Sequence, residues 1–186
     1  MTGESLYTIE QVVEAELQAE ESESVRSLLA RSFPWTKEFE FQPYWQVRPG
    51  IRFLARINPS RDIVGHLALF NRVIKVNNTS LKLAGLGLYA IEKKHRGANV
   101  SKGLISESHK KIFESGYDAS VVFTKHGIVR RVCKNLNYIA IPGLFQFTYP
   151  DGDLVTKNDS FVLPLKSSIM DLFRSVGTIC AGEGTW

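Results

Sequence analysis

Asp62 to Val76 constrains the fold more than any other stretch. It reads as one long strand with both faces apolar, Val64, Ala68, Phe70 and Ile74 on one side and Ile63, Leu67, Leu69 and Val73 on the other. A strand of that kind belongs inside a sheet, covered above and below. Its neighbours in sequence supply the sheet. Ile51 to Ile57 reads as a strand joined to it by a turn at Asn58-Pro59-Ser60, and Asn77-Asn78 is a hairpin signal that returns the chain as Ser80 to Ile91. The returning strand runs into a small, basic loop, Lys93-Lys94-His95-Arg96-Gly97-Ala98-Asn99, and then into a helix with Val100, Leu104 and Ile112 along one stripe, ended by Gly116. Asp118 to Thr124 is a short apolar strand, so this strand–helix–strand order implies a parallel crossover.

The flanking segments are less regular. Ile9, Val12, Val13 and Leu17 fall at helical spacing among glutamates, which leaves residues 1–23 as an acidic segment that is either an amphipathic helix or mobile. Ser22-Glu23-Ser24 offers caps for a helix carrying Val25, Leu28, Leu29 and Phe33 and closed by Pro34. Trp35 to Arg48 is aromatic and irregular, readable as a loop packed on the core or as one wall of a ligand cleft that includes Trp45. Ile128 to Leu136 reads as a helix, Tyr138 to Ile141 and Phe161 to Leu165 as strands, Pro142 to Asp159 as a Gly/Pro/Asp-rich excursion, and Lys166 to Trp186 as a tail without strong periodicity. At 186 residues the expectation is one domain over 24–186 of α/β (α+β) class, with a mixed central sheet and helices on both faces.

The formal net charge is +4, but Glu4, Glu10, Glu14, Glu16, Glu20, Glu21 and Glu23 all fall in the leading segment, which has no Lys or Arg. Setting those seven aside leaves 12 of the 19 acidic residues against all 23 basic ones, a surplus of +11. Such a surplus suits a phosphorylated cofactor or an acidic carrier protein. Nucleic acid fits less well, because the basic residues are scattered and no binding motif accompanies them. Cys133 and Cys180 lack metal-ligand spacing, so reduced thiols and no metal are expected. No apolar run is long enough to span a bilayer, and the acidic start does not resemble a secretory signal, so a cytoplasmic location follows by default.

Several residues could carry chemistry. Backbone N–H groups at the start of a helix, next to a basic loop, form an anion site, which points to a phosphate-bearing cofactor beside the sheet. His66 interrupts the apolar face of its strand and reads either as a hydrogen-bonded core residue or as a base with a pKa near 6.5. His126 follows the C-terminal end of the Asp118–Thr124 strand, the side on which α/β proteins place their sites. Cys133 reads as a structural thiol or as a proton donor with a free pKa near 8.5.

The order of elements, one helix, several antiparallel strands, a glycine-containing strand with a phosphate-type turn, then helix, strand, helix and strand, resembles the GNAT acyltransferases. HRGANVSKG at His95 to Gly103 resembles that family's acyl-coenzyme A motif, with Asn99 and Ser101 in places usually taken by small glycine-like residues. GHLALFNRVIKV followed by GLGLYAI is similar to the paired strands of the NodA-type N-acyltransferases, and Trp45 with Arg48-Pro49 falls on a similar pattern. Arg130-Arg131-Val132-Cys133, FVLPL at Phe161 to Leu165, and Cys180 with the closing Ala-Gly-Glu-Gly-Thr-Trp resemble the aminoglycoside 2'-N-acetyltransferases. By these resemblances the aminoglycoside enzymes have a Glu where Gly87 stands here and a tyrosine where Cys133 stands, and the NodA-type proteins have an acidic residue at the place of Gly85.

The resemblance implies an N-acyltransferase that moves an acyl group from acetyl-CoA, a longer acyl-CoA or an acyl carrier protein to a primary amine of a small molecule, most naturally an amino sugar. The alternative is a non-catalytic acyl-CoA-binding sensor or interaction protein. Under the first reading a bulge near Gly85 to Leu88 frees N–H groups for the thioester carbonyl, and Leu88, Tyr89, Ala90 and Ile91 pair with the pantetheine. Arg96, Gly97, Ala98, Asn99, Val100, Ser101 and Lys102 take the pyrophosphate. His66, His126 and Cys133 are the candidate proton carriers. Trp45, Glu183 and Trp186, the last through its terminal carboxylate, are the expected substrate contacts. A homodimer is left open.

Overall fold

The structure, a computed structural model, describes residues 6–97 and 99–186. The described residues form, in order, β1 (Tyr7–Val13), α1 (Ala19–Ser32), β2 (Ile51–Ile57), β3 (Ile63–Val76), β4 (Thr79–Ile91), α2 (Val100–Glu114), β5 (Ala119–Phe123), α3 (Gly127–Asn135), β6 (Ile139–Ala140), β7 (Phe145–Thr148), β8 (Leu154–Lys157), β9 (Ser160–Pro164), α4 (Ile169–Arg174) and β10 (Ile179–Glu183). Seven strands form a mixed sheet in the order β1-β2-β3-β4-β5-β9-β6, and β10-β7-β8 form a second sheet. As expected, β3 is internal, with every residue from Ile63 to Phe70 buried. The chain divides into two compact units, one running through Leu69 and resuming over Leu88–Lys111, the other made of Phe70–Gly87 and Ile112–Trp186.

In the first unit, β2 pairs antiparallel with both β1 and β3. Val25, Leu28 and Leu29 of α1 pack with Leu54, Phe39, Ile63 and Ala90. On β3, Gly65 has Val100 and Leu104 of α2 so near that an added Cβ would lie 2.9 and 3.2 Å from them. Gly65 pairs with Ala55, the residue after Leu54, and successive strand residues face opposite ways. The two helices therefore cover opposite faces of the sheet.

The acidic segment differs from the expectation. Tyr7–Val13 is an edge strand, not a helix or a mobile arm, and Glu14–Glu16 form a 3₁₀ turn behind it. The boundary expected after residue 23 falls inside α1, whose N-terminus is capped by Gln18 and Glu21 rather than by Ser22 to Ser24. The reason is tertiary. Arg52 and Arg56 of β2 meet Glu14 and Glu10, and Arg56 also meets Glu21. Ion pairs across strands thus override a helical periodicity that was real but local. The same pairs neutralise Arg52 and Arg56.

In the second unit β4 runs parallel to β5 from Leu83↔Ala119 to Leu86↔Val122, and β9 pairs antiparallel with β5 and β6. The Pro142–Asp159 excursion holds a hairpin, β7 with β8, and the Lys166–Trp186 tail holds α4 and then β10, which runs parallel to β7. These elements are four to six residues long. They are too short for periodicity to reveal, and β7 finds its partner β10 more than thirty residues further on.

Candidate functional site

The regular course of β4 breaks at one residue. Pairing with β5 runs to Leu86, and Leu88 then takes φ +51°, a left-handed conformation that a leucine seldom adopts. The carbonyl of Leu88 accepts a hydrogen bond from His66 Nδ1 at 2.8 Å. Because Arg52 Nη1 can only donate, the His66 Nε2 it meets at 2.9 Å is an acceptor, and the ring proton sits on Nδ1. Arg52 is itself fully buried and held by Glu14 through Nε at 2.5 Å and Nη2 at 3.1 Å. His66 is therefore not the base that its place in the strand allowed. Both ring nitrogens are engaged and the side chain is fully buried. Desolvation, with the Arg52 charge beside it, holds its pKa down at about 3 against the pull of the Leu88 carbonyl.

Beyond the break, Tyr89, Ala90 and Ile91 complete β4. Burial raises the Tyr89 phenol, opposed by a hydrogen bond with Ser101 and by the Arg96 charge. Arg96 Nε donates to the Ile91 carbonyl at 3.2 Å, tying the basic turn back to the strand end. Gly97 has φ +87° with open space where a Cβ would stand. Asn99 has φ +61°, a conformation that asparagine tolerates and that suits it to a glycine's place. Gly103 N–H bonds the Asn99 carbonyl at 3.0 Å, so the N–H groups of Val100, Ser101 and Lys102 precede that first helical bond. Ala98 lies outside the described residues.

The other candidates fall in different surroundings. His126 is exposed and stands at the N-cap of α3, its backbone N–H bonded to Thr124 Oγ1 at 3.1 Å. Cys133 differs from the proton-donor expectation: it is buried with Tyr138 and Phe161, and burial pushes its thiol up to about 11. Trp45 is half-buried against the same core cluster as Leu88, with its indole N–H donating to Glu38 at 3.1 Å. Glu183 is exposed at the end of β10, and its backbone carbonyl accepts from Arg72 Nη2 at 2.5 Å. Trp186 is buried, stacked on Phe70 at 5.9 Å and close to Phe123 and Phe147. Its indole occupies the space over Gly85, where an added Cβ would lie 2.3 Å from Cε2.

Three residues that the sequence reading passed over matter to this architecture: Glu14, Arg52 and Arg72. A signal for the first two was present. Glu10 and Glu14 are spaced by four, as are Arg52 and Arg56, and a strand puts residues of that spacing on one face. Arg72 stood out only as a match within the NodA-like strand pair, and its partners, backbone carbonyls and aromatic rings, left no pattern in the sequence. Among the described residues no cluster of three or more His, Cys, Asp or Glu is placed to hold a metal ion, and no helix is long and apolar enough to cross a membrane.

The mixed sheet with a broken β4 has the GNAT fold. The chain superimposes on a GNAT family N-acetyltransferase of Escherichia coli, solved in complex with CoA, with a TM-score of 0.63 at 15% identity, over 97% of this chain and 92% of that one. A GNAT acetyltransferase of Staphylococcus aureus gives 0.56 at 16% identity, over 86% and 100%. The family model of nodulation protein A (NodA) matches residues 7–136, and the chain belongs to that family. Nodulation protein A of Bradyrhizobium elkanii is 29% identical over 99 residues, 49% of this chain and 45% of the relative. That of Sinorhizobium terangae is 30% identical over 97 residues, 49% and 48%. The chain spans about half the length of the curated relatives it matches.

Proposed function

We propose that the chain is an N-acyltransferase that moves an acyl group from acyl-CoA, or from an acyl carrier protein thioester, to a primary amine of a small molecule, with an amino sugar as the favoured acceptor. The observation that carries this reading is the left-handed Leu88 in β4, past the strand's last pair with β5, with left-handed Gly97 and Asn99 ahead of α2, in a chain of the NodA family. The amine attacks the thioester carbonyl carbon, the C–N bond forms, the C–S bond breaks, and the proton lost by nitrogen is balanced by one taken up by the thiolate. Leu88 to Ile91 pair with the pantetheine as an added strand would. The Gly97 turn and the first N–H groups of α2 hold the pyrophosphate. With His66 and Cys133 buried, His126 is the histidine of the expected set left for proton transfer. Glu183 and the terminal carboxylate of Trp186 are the acceptor contacts, and a homodimer remains compatible with this assignment.

Titration calorimetry with CoA and acetyl-CoA, followed by thiol release from acetyl-CoA and palmitoyl-CoA in the presence of glucosamine and other amino sugars, tests the proposal. Donor binding and amine-dependent thiol release are expected. Loss of both with every donor sinks the idea. The burial of His66 and Cys133 favours a second reading, a non-catalytic acyl-CoA sensor, for which donor binding persists while no amine accelerates thiol release.

A further inference from the structure

We infer that His66 is a positioning residue that sets the direction of the Tyr89 amide, the donor facing the thioester carbonyl, and that Glu14 and Arg52 hold His66 in register for this task. The inference rests on the acyl-donor reading above and adds to it a residue set outside the donor contacts.

The argument starts from the peptide between Leu88 and Tyr89. It is trans, since among the described residues the cis bond is Asn58–Pro59, and in a planar trans peptide the C=O and the N–H point in opposite directions. His66 Nδ1–H holds the Leu88 oxygen at 2.8 Å. The Tyr89 N–H is thereby turned away from the buried ring, at a point in β4 three residues past the last pair with β5, Leu86↔Val122. Leu88 pays for this orientation with φ +51°, and one hydrogen bond to a buried imidazole offsets a cost of that order. The imidazole can do this only with its proton on Nδ1. Arg52 Nη1 enforces that tautomer by donating to Nε2 at 2.9 Å, and the Glu14 carboxylate, on Arg52 Nε and Nη2, neutralises the guanidinium that would otherwise stand unpaired beside the ring. Glu14, Arg52, His66 and Leu88 thus form one continuous line, from the 3₁₀ turn behind the edge strand to the break in β4, and none of the first three needs to touch the donor.

Two substitutions separate the ends of the ring. His66→Asn keeps a donor near the position of Nδ1, and His66→Gln keeps an acceptor near the position of Nε2 but loses the bond to Leu88. The readout is the infrared carbonyl stretch of acetyl-CoA labelled with carbon-13 at the thioester, free and bound, together with calorimetric affinities for CoA, which has no carbonyl. Wild type and His66→Asn are expected to lower the carbonyl frequency on binding. His66→Gln is expected to lose that shift while keeping its affinity for CoA, and to lower kcat by roughly 10² with KM little changed, as loss of an oxyanion donor does. A shift retained in His66→Gln, or lost in His66→Asn, overturns the positioning role, and either variant alone decides if the other does not fold. Failure of the wild-type protein to bind CoA and acetyl-CoA overturns the donor reading itself, and this role with it.

Discussion

Arg52 and Arg72 lie on neighbouring strands in sequence and leave water by different routes. Arg52 is sealed: its guanidinium is fully buried, its charge is met by the Glu14 carboxylate, and its Nη1 donates to His66. Arg72 is half-buried and has a softer environment. Its Nη2 donates to the carbonyls of Glu183 and Gly184 at 2.5 and 2.6 Å, its guanidinium lies 5.5 Å over the Trp186 ring, and its buried Nε finds no partner among the described residues. Burial lowers its pKa, opposed by the Glu183 charge. A carboxylate lets a charge be enclosed completely and fixes what lies beside it. Dipoles and aromatic faces hold an arginine less completely and leave its surroundings adjustable. The first arrangement surrounds the break in β4, and the second surrounds the aromatic plug over Gly85.

The sharpest way to break this contrast is to remove the countercharge. Glu14→Ala should cost about 3–5 kcal/mol, because it leaves Arg52 buried and unpaired. Urea denaturation measures it, and a loss under about 1 kcal/mol would mean that Arg52 does not depend on Glu14. Next in size is an acid effect. The folded pKa of His66 lies far below its unfolded value of 6.5, so folding favours the neutral ring. Its contribution is complete above pH 6.5 and is lost as the pH falls towards 3, at roughly 1.4 kcal/mol per pH unit. Denaturation between pH 7 and 4 should show this slope in the wild type and a flatter one in His66→Asn. An equal slope in both would show that the ring is not buried neutral. Smallest is Gly85→Ala on the Arg72 side. Its methyl would overlap the Trp186 indole, so a cost of about 1–3 kcal/mol and a changed tryptophan emission are expected. Unchanged stability and emission would mean that Trp186 does not sit over Gly85.

How far the sequence could be read varies along the chain. Ile51–Ile57 is a strand at the expected residues, β3 and β4 begin and end within one residue of expectation, and α2 starts at Val100 as its apolar stripe requires. The turn chemistry was legible as well, since Gly97 and Asn99 both take the left-handed angles their residue types allow. The edge strand β1 was not legible, because its glutamates fit a helix until Arg52 and Arg56 are brought alongside. At the candidate site, His66 could be seen as unusual, but its role could not. Whether a strand histidine is a base or a clamp depends on what meets its two nitrogens, and here those groups are Arg52 and Leu88, 14 and 22 residues away.

By itself the sequence determined the central hairpin, the basic turn and the crossover helix, because periodicity and backbone preference are carried by residues close together in the chain. Only the tertiary structure decided which charges cancel, which histidine is withdrawn from solvent and which ring fills the space over Gly85. Each of those outcomes depends on groups far apart in sequence. Glu14 meets Arg52 across 38 positions, and Trp186 settles over Gly85 because that glycine has no side chain to exclude it.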